Sequence, residues 1–224
     1  MFVCKNANAR GSGGVSFMRI TAITAQKKRE NRYNVFIDNE FAFGIDGVDL
    51  LYYKLKEGEE LSEERYNLIL NELIFIKARE TALRYIDYKQ RTEKEVVKKL
   101  SGEYSPEIIG RVIELLKKYG IIDDNKYTEL FVKDCLNLKG WGERRILTEL
   151  ALRGIPREKA EPYLENTDDI MLEKAKKLIE KRVKGKITDM KEYKKHFDFL
   201  LRRGFDYNTA KAALDGKMTD EDGG

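Results

Sequence analysis

The fold is decided by three six-residue stretches spaced fifty residues apart: EVVKKL (Glu95–Leu100), RILTEL (Arg145–Leu150) and KHFDFL (Lys195–Leu200). At that shift Leu100, Leu150 and Leu200 coincide, Val96 matches Ile146 and His196, and Val97 matches Leu147 and Phe197. The match extends outward to Tyr104, Gly154 and Gly204, then to Ser105, Ile155 and Phe205, and to a small residue at Gly110, Ala160 and Ala210. Arg153 also aligns with Arg203, and Leu164 with Leu214. Self-similarity at such a period signals stacked supersecondary units, none of which buries its apolar face alone. The expected fold is mainly α: a tandem array of three three-helix repeats at 78–123, 124–167 and 168–217. Its work is expected on the array's surface rather than in one pocket.

Capping chemistry supports the helix boundaries. Thr92 precedes a helix bearing Val96, Val97 and Leu100, and Ser105-Pro106 combines an N-cap residue with proline at the first helical position. The helix that follows carries Ile108, Ile109, Val112, Ile113 and Leu116, and Gly120 ends it after Lys117 and Lys118. Asp123-Asp124 and Thr167-Asp168 stand where repeat boundaries need N-caps. In the second repeat Tyr127, Phe131, Val132 and Cys135 share a helix, and the loop Lys139-Gly140-Trp141-Gly142 follows it.

Ahead of the array, residues 18–77 are expected to form a small β-meander with a helix. Tyr33, Val35 and Ile37 alternate with Asn34, Phe36 and Asp38, Asp38-Asn39 suits a two-residue turn, and Phe41 and Phe43 resume the alternation. So small a sheet needs a helical cover. Val48, Leu50, Leu51, Tyr52 and Leu55 are expected to supply it, before a long helical pattern from Ser62 to about Tyr88 that is one helix or two abutting ones. Residues 1–17 read as a disordered leader, or as an addition upstream of a start at Met18, and 218–224 as an acidic tail.

The charged fraction of 37% and only three prolines favour helices with wide solvated faces. Net charge is +4, and its distribution is uneven: residues 1–77 balance, 78–167 carry 18 basic against 16 acidic, and 168–217 carry 14 against 9. The third repeat is the basic one. Neither Cys4, in the leader, nor Cys135, in an apolar helix pattern, is set up for a structural disulfide, which suits a reducing, cytoplasmic setting. No apolar run reaches the roughly eighteen residues of a membrane span.

Catalytic constellations are missing. His196 is the only histidine and aligns with Val96 and Ile146, so it reads as a packed ring. There is no Cys-x-x-Cys and no phosphate-binding G-x-x-x-x-G-K-[ST], and the paired aspartates fit helix starts better than a metal site. The chain therefore reads as a non-enzyme without cofactor or metal. Binding chemistry is better represented. Trp141 lies between glycines and is followed by Arg144 and Arg145 at a helix start, where basic residues oppose the dipole and need another reason. An exposed aromatic beside paired arginines suits an interface hot spot or a nucleotide-stacking surface, whereas a tryptophan folded back on its own repeat would be part of the core. The candidate contact residues are Lys139, Trp141, Arg144, Arg145, Arg153, Lys194, Lys195, Arg202 and Arg203. For Arg153, Arg202 and Arg203 the dipole at a helix end is already a sufficient reason.

Three segments carry a resemblance: YIDYKQRTEKEVVKKL (Tyr85–Leu100), LKKYGIIDDNKY (Leu116–Tyr127) and KGWGERRILTELALRGI (Lys139–Ile155). With the strand segment from Ile20 to Ile45, they make the chain similar to the RecX recombination regulators over about Arg19 to Asp215. That resemblance implies a non-enzymatic modulator that lodges along the RecA recombinase filament on single-stranded DNA and suppresses its ATP hydrolysis and strand exchange. Gly120, Ile121, Asp123, Asp124, Gly154 and Ile155 match the family pattern and read as structural. The third repeat departs from it most, with Val183–Met190 in place of the Lys-Gly-Trp-Gly loop. A direct DNA-binding helical protein and a peptide-binding scaffold are the competing readings. No heptad pattern asks for a dimer, so a monomer is expected.

Overall fold

A computed structural model describes residues 17–27 and 29–218; the expected leader with Cys4, Lys28 of the basic turn, and the tail beyond Met218 lie outside the described residues. The described chain divides into two units: the residues up to Thr81 with Tyr104–Val112, and Ala82–Glu103 with Ile113 onward.

The first unit contains four antiparallel strands, β1 (Phe17–Ala25), β2 (Arg32–Ile37), β3 (Glu40–Asp46) and β4 (Glu60–Ser62), in the order β3-β2-β1-β4. The meander is as expected, and Asp38 and Asn39 form its tight turn with positive φ of 49° and 66°. Phe17, expected in the leader, instead opens β1 opposite Ser62. The fourth strand is too short to leave a period-2 signature.

Two bulges set which side chains face inward. Ile20 pairs with Ile37 and Ala22 with Phe36, leaving Thr21 as an extra residue, so Ile20 and Ile23 share a face although three apart. On the other side Val35 pairs with Phe43 and Phe36 with Phe41, leaving Ala42 extra. Phe43 is therefore fully buried while Phe41, two residues away, is 57% exposed and lies edge-on to Phe36. An inserted residue re-aims every side chain beyond it.

The expected helical cover is corrected. Helix α1 (Gly47–Tyr52) is a turn and a half, with Val48, Leu51 and Tyr52 exposed at 70–77%. Only Leu50 and Leu55 of the proposed set pack on the sheet; Ile69 and Leu73 of helix α2 (Glu63–Tyr88) complete the cover with Leu61 of β4. The pattern left open between one helix and two is a single 26-residue helix.

The array follows as α3 (Glu93–Leu100), α4 (Pro106–Lys118), α5 (Asp124–Asp134), α6 (Glu143–Leu152), α7 (Arg157–Ala160), α8 (Asp168–Glu180), α9 (Met190–Arg202) and α10 (Tyr207–Leu214). Thr92 caps α3 in a reciprocal box with Glu95. The Ser105 hydroxyl receives the Ile108 amide, and Asp123 accepts from the amides of Asn125 and Lys126. Thr167 is the exception: it precedes α8, but its hydroxyl donates back to the Leu164 carbonyl at 2.6 Å and does not cap.

The fifty-residue correspondence holds at the centre of each repeat. Leu100, Leu150 and Leu200 are all fully buried, as are Val96, Ile146 and nearly so His196. Beyond that centre only the second and third repeats agree: Gly154 and Gly204 have φ of +86° and +91°, Ile155 and Phe205 are buried, and Ala160 and Ala210 are inaccessible. In the first repeat Gly110 is exposed with open space around it, so its match to the two alanines is not structural. Ser105 there begins a 13-residue helix, whereas the second repeat has one turn of α7 and a 3-10 turn (Glu161–Tyr163) holding Pro162.

Candidate partner-binding surface

The candidate residues are organised by a joint that occurs twice between the second helices of successive repeats. At the first, the Thr92 hydroxyl donates to the Arg153 carbonyl at 2.7 Å, and a Cβ on Gly154 would lie 2.6 Å from Cβ of Lys94. At the second, fifty residues on, the Gly142 amide donates to the Arg203 carbonyl at 2.9 Å and the Arg144 amide to the Gly204 carbonyl at 3.1 Å. A Cβ on Gly142 would lie 2.2 Å from the Phe205 amide nitrogen, and one on Gly204 2.4 Å from the Arg145 amide. Backbone therefore meets backbone there, which only glycine permits on both sides. The loop Lys139-Gly140-Trp141-Gly142 is the segment that makes this close approach.

The side chains around the second joint follow from its backbone. Cys135–Lys139 makes a π-helical turn that ends in left-handed Gly140 (φ 58°), and it brings Lys139 back over α5. Lys139 Nζ stands 4.6 Å from the centroids of both Phe131 and Trp141. The Arg145 guanidinium stacks 4.3 Å from the Trp141 ring, and Arg153 lies 5.1 Å from Phe131, which stacks on Tyr127. Arg203 donates to the Lys139 carbonyl at 3.1 Å and lies 5.3 Å from Phe199, with Arg182 on the same ring at 4.1 Å. Cations and rings thus alternate, each contact contributing on the order of 0.5–2 kcal/mol depending on exposure.

Lys139, Trp141, Arg145 and Arg203 are brought together; Arg144, exposed, joins them through its amide's bond to Gly204, and exposed Arg202 precedes Arg203 in the chain. Trp141 is half-buried against the core of the last two repeats, so it is neither a free aromatic nor a fully internal one. Its stack with Arg145 supplies the reason for a basic residue at that helix start. Arg153 shares the Phe131 ring with Lys139 but is paired, bonded to Glu149 Oε2 at 2.7 Å and to Tyr127. Lys194 and Lys195 are exposed on α9, two turns from the joint. Phe131, expected only on the apolar side of its helix, joins this arrangement with Arg182 and Phe199, which were not singled out; the four-residue spacings Tyr127–Phe131 and Phe199–Arg203 were the available signal.

The electrostatics are one-sided. No carboxylate among the described residues lies within ion-pair distance of Lys139, Arg144, Arg145, Arg182, Arg202 or Arg203. Burial pushes the Cys135 thiol up to about 11, and His196 is buried beside Glu192 at 3.7 Å. Among the described residues no cluster of histidine, cysteine and carboxylates could hold a metal, and no helix is long and apolar enough to cross a membrane. The residues Gly120, Asp123 and Asp124 are structural: a left-handed helix end, a cap, and an acceptor for the Glu93 amide at 2.9 Å.

Comparison with known proteins meets the same architecture. Four family descriptions match in chain order: the regulatory protein RecX N-terminal domain over residues 18–62, and the first, second and third three-helix domains of RecX over 78–116, 123–164 and 168–214. The chain is 34% identical over 198 residues to a regulatory protein RecX of Clostridioides difficile, covering 87% of this chain and 93% of that one. It is 33% identical over 189 residues to that of Finegoldia magna, covering 82% and 92%. A crystal structure of regulatory protein RecX superposes with a TM-score of 0.66 at 28% identity, over 88% of this chain and 99% of the other. That of RecX from Lactobacillus salivarius gives 0.55 at 28%, over 63% and 96%. A small N-terminal domain followed along the chain by three three-helix domains is thus shared in sequence and in fold, and the chain belongs to the RecX family of regulatory proteins.

Proposed function

We propose that this chain is a non-enzymatic, cytoplasmic regulator that binds the RecA recombinase filament on single-stranded DNA and restrains its ATP hydrolysis and strand exchange. The observation that carries this reading is the gathering of Lys139, Arg144, Arg145, Arg202 and Arg203 at one joint without a carboxylate partner. Uncompensated like charges repel one another, and a polyanionic nucleoprotein relieves that repulsion. Relatives named as regulators, and an array without a nucleophile, base and oxyanion site in one place, support the same reading.

The roles within the set differ. Arg144, Lys194, Lys195 and Arg202 are exposed and free to reach a partner, whereas Arg153 is held by Glu149, and Arg145 and Arg203 brace the joint. The test is ATP turnover by the recombinase on single strands, titrated with this protein. Wild-type protein is expected to lower turnover, and Arg144→Glu with Arg202→Glu to weaken that effect at least tenfold while thermal unfolding stays unchanged. A folded double variant that still inhibits fully would remove the joint from the interface. A pulldown adds the second criterion: capture of the recombinase should need DNA and ATP, and binding to naked DNA as tight as to the filament would favour a direct DNA-binding role.

A further inference from the structure

A second basic feature lies in the third repeat, and its lining includes none of the candidate residues above. An open cavity of about 450 Å³ is bounded by Lys176, Glu180, Lys184, Gly185, Lys186, Ala213, Asp215, Gly216 and Lys217. We propose that this cavity, walled by Lys176, Lys184, Lys186 and Lys217, binds the phosphodiester backbone of a single DNA strand. The inference extends the filament reading by naming where this protein itself touches the strand.

The lysines are held in place rather than scattered. Segment 183–187 is anchored by buried Val183 and Ile187, and the Ile187 amide donates to the Lys217 carbonyl at 2.7 Å, forming a parallel bridge with Met218. Lys186 Nζ donates to the Gly216 carbonyl at 2.9 Å, which ties the two lysine-bearing segments across the cavity mouth. Left-handed Gly216 (φ +77°) turns the chain out of α10 so that Lys217 follows. On the facing wall, Lys176 and Glu180 stand one turn apart on α8. None of the four ammonium groups has an ion-pair partner among the described residues, although Glu180 and Asp215 share the lining, so the cavity keeps a surplus of positive charge.

The composition selects the ligand. Arginine forks match carboxylates in two-bond geometry, whereas lysine acts as a point charge on phosphate oxygens, and this wall has lysines and no arginine. It also has no aromatic side chain on which a base could stack, so backbone rather than base is engaged. A concave site suits a flexible single strand better than the wide, stiff cylinder of a duplex.

Binding of full-length protein to labelled oligothymidylate, without recombinase, tests this by anisotropy across a salt series. Each lysine–phosphate contact on a single strand contributes about 0.7 to the slope of log affinity against log salt, so Lys184→Gln, Lys186→Gln and Lys217→Gln together should flatten it by about 2 and weaken binding at low salt about tenfold or more. Lys181→Gln, Lys191→Gln and Lys211→Gln remove equal charge outside the cavity and should have a much smaller effect, and Glu180→Gln should tighten binding. An abasic oligonucleotide should bind as well as oligothymidylate. Equal losses in the two triple variants, equal displacement by polyglutamate, or preference for duplex would each overturn the proposal. Because recombinase is absent, failure here leaves the ATP-turnover test of the filament reading standing, and the reverse also holds.

Discussion

Arg145 and Gly204 meet at the closest approach between the second and third repeats, and each tolerates little change. An added methyl on Gly204 would both meet the Arg145 amide at 2.4 Å and strain a φ of +91°. Gly204→Ala is therefore expected to destabilise the fold by more than about 1 kcal/mol, read as a lower denaturant midpoint at unchanged slope. Cys135 makes a different point. Burial disfavours its thiolate, so the thiol ionises in the unfolded chain before it does so in the folded one. Its contribution is complete below the ordinary thiol value and is lost as pH rises between about 9 and about 11. Alkylation at pH 8 should accordingly be slow until denaturant is added; rapid modification of the native protein at this residue would contradict its burial.

The helices show how one sequence pattern is tuned repeat by repeat. Thr92 caps α3 and in addition bonds the next repeat through its hydroxyl, so Thr92→Ala should cost about 0.5–2 kcal/mol from the cap, plus the lost bond to Arg153. Thr92→Ser, which keeps both hydrogen bonds, should recover most of that loss in thermal unfolding. Leu150, at the centre of α6 and fully buried, is expected to cost about 2–5 kcal/mol on change to alanine through the cavity left behind. Helix α9 departs from its two counterparts by starting three residues early, so the residue aligned with Thr92 and Gly142 is Glu192, inside the first turn. The Glu192 amide, which would hold a further repeat, is already bonded to Asp189 Oδ1 at 2.7 Å.

At the scale of the molecule the array is closed at both ends by the same logic. Its last repeat has spent the donor that makes a joint, and its first carries Tyr104 where Gly154 and Gly204 admit close backbone. Head-to-tail addition of a second copy would need both features, since an open heterologous contact otherwise propagates. The protein is therefore expected to sediment as a monomer across concentration, and a concentration-dependent shift to larger species would contradict this account of its ends.

The fifty-residue recurrence of apolar positions, the Thr92 and Ser105-Pro106 starts and the glycine helix ends determined a three-repeat helical fold, because helical periodicity and capping are local properties of the chain. The resemblance carried by Lys139–Ile155 likewise led to the family without any coordinates. What only the tertiary structure decided depends on residues far apart in sequence: the bulge that separates Phe41 from Phe43, the completion by α2 of the sheet cover that α1 only begins, and the half-burial of Trp141 between Lys139 and Arg145. The lysine-walled cavity belongs to the same class, since segment 183–187 has no regular period and meets residues 216–218 through one backbone bridge and the Lys186 side chain. Propensity and spacing are written along the chain, whereas which charges are braced, paired or free is fixed only when distant backbone comes into contact.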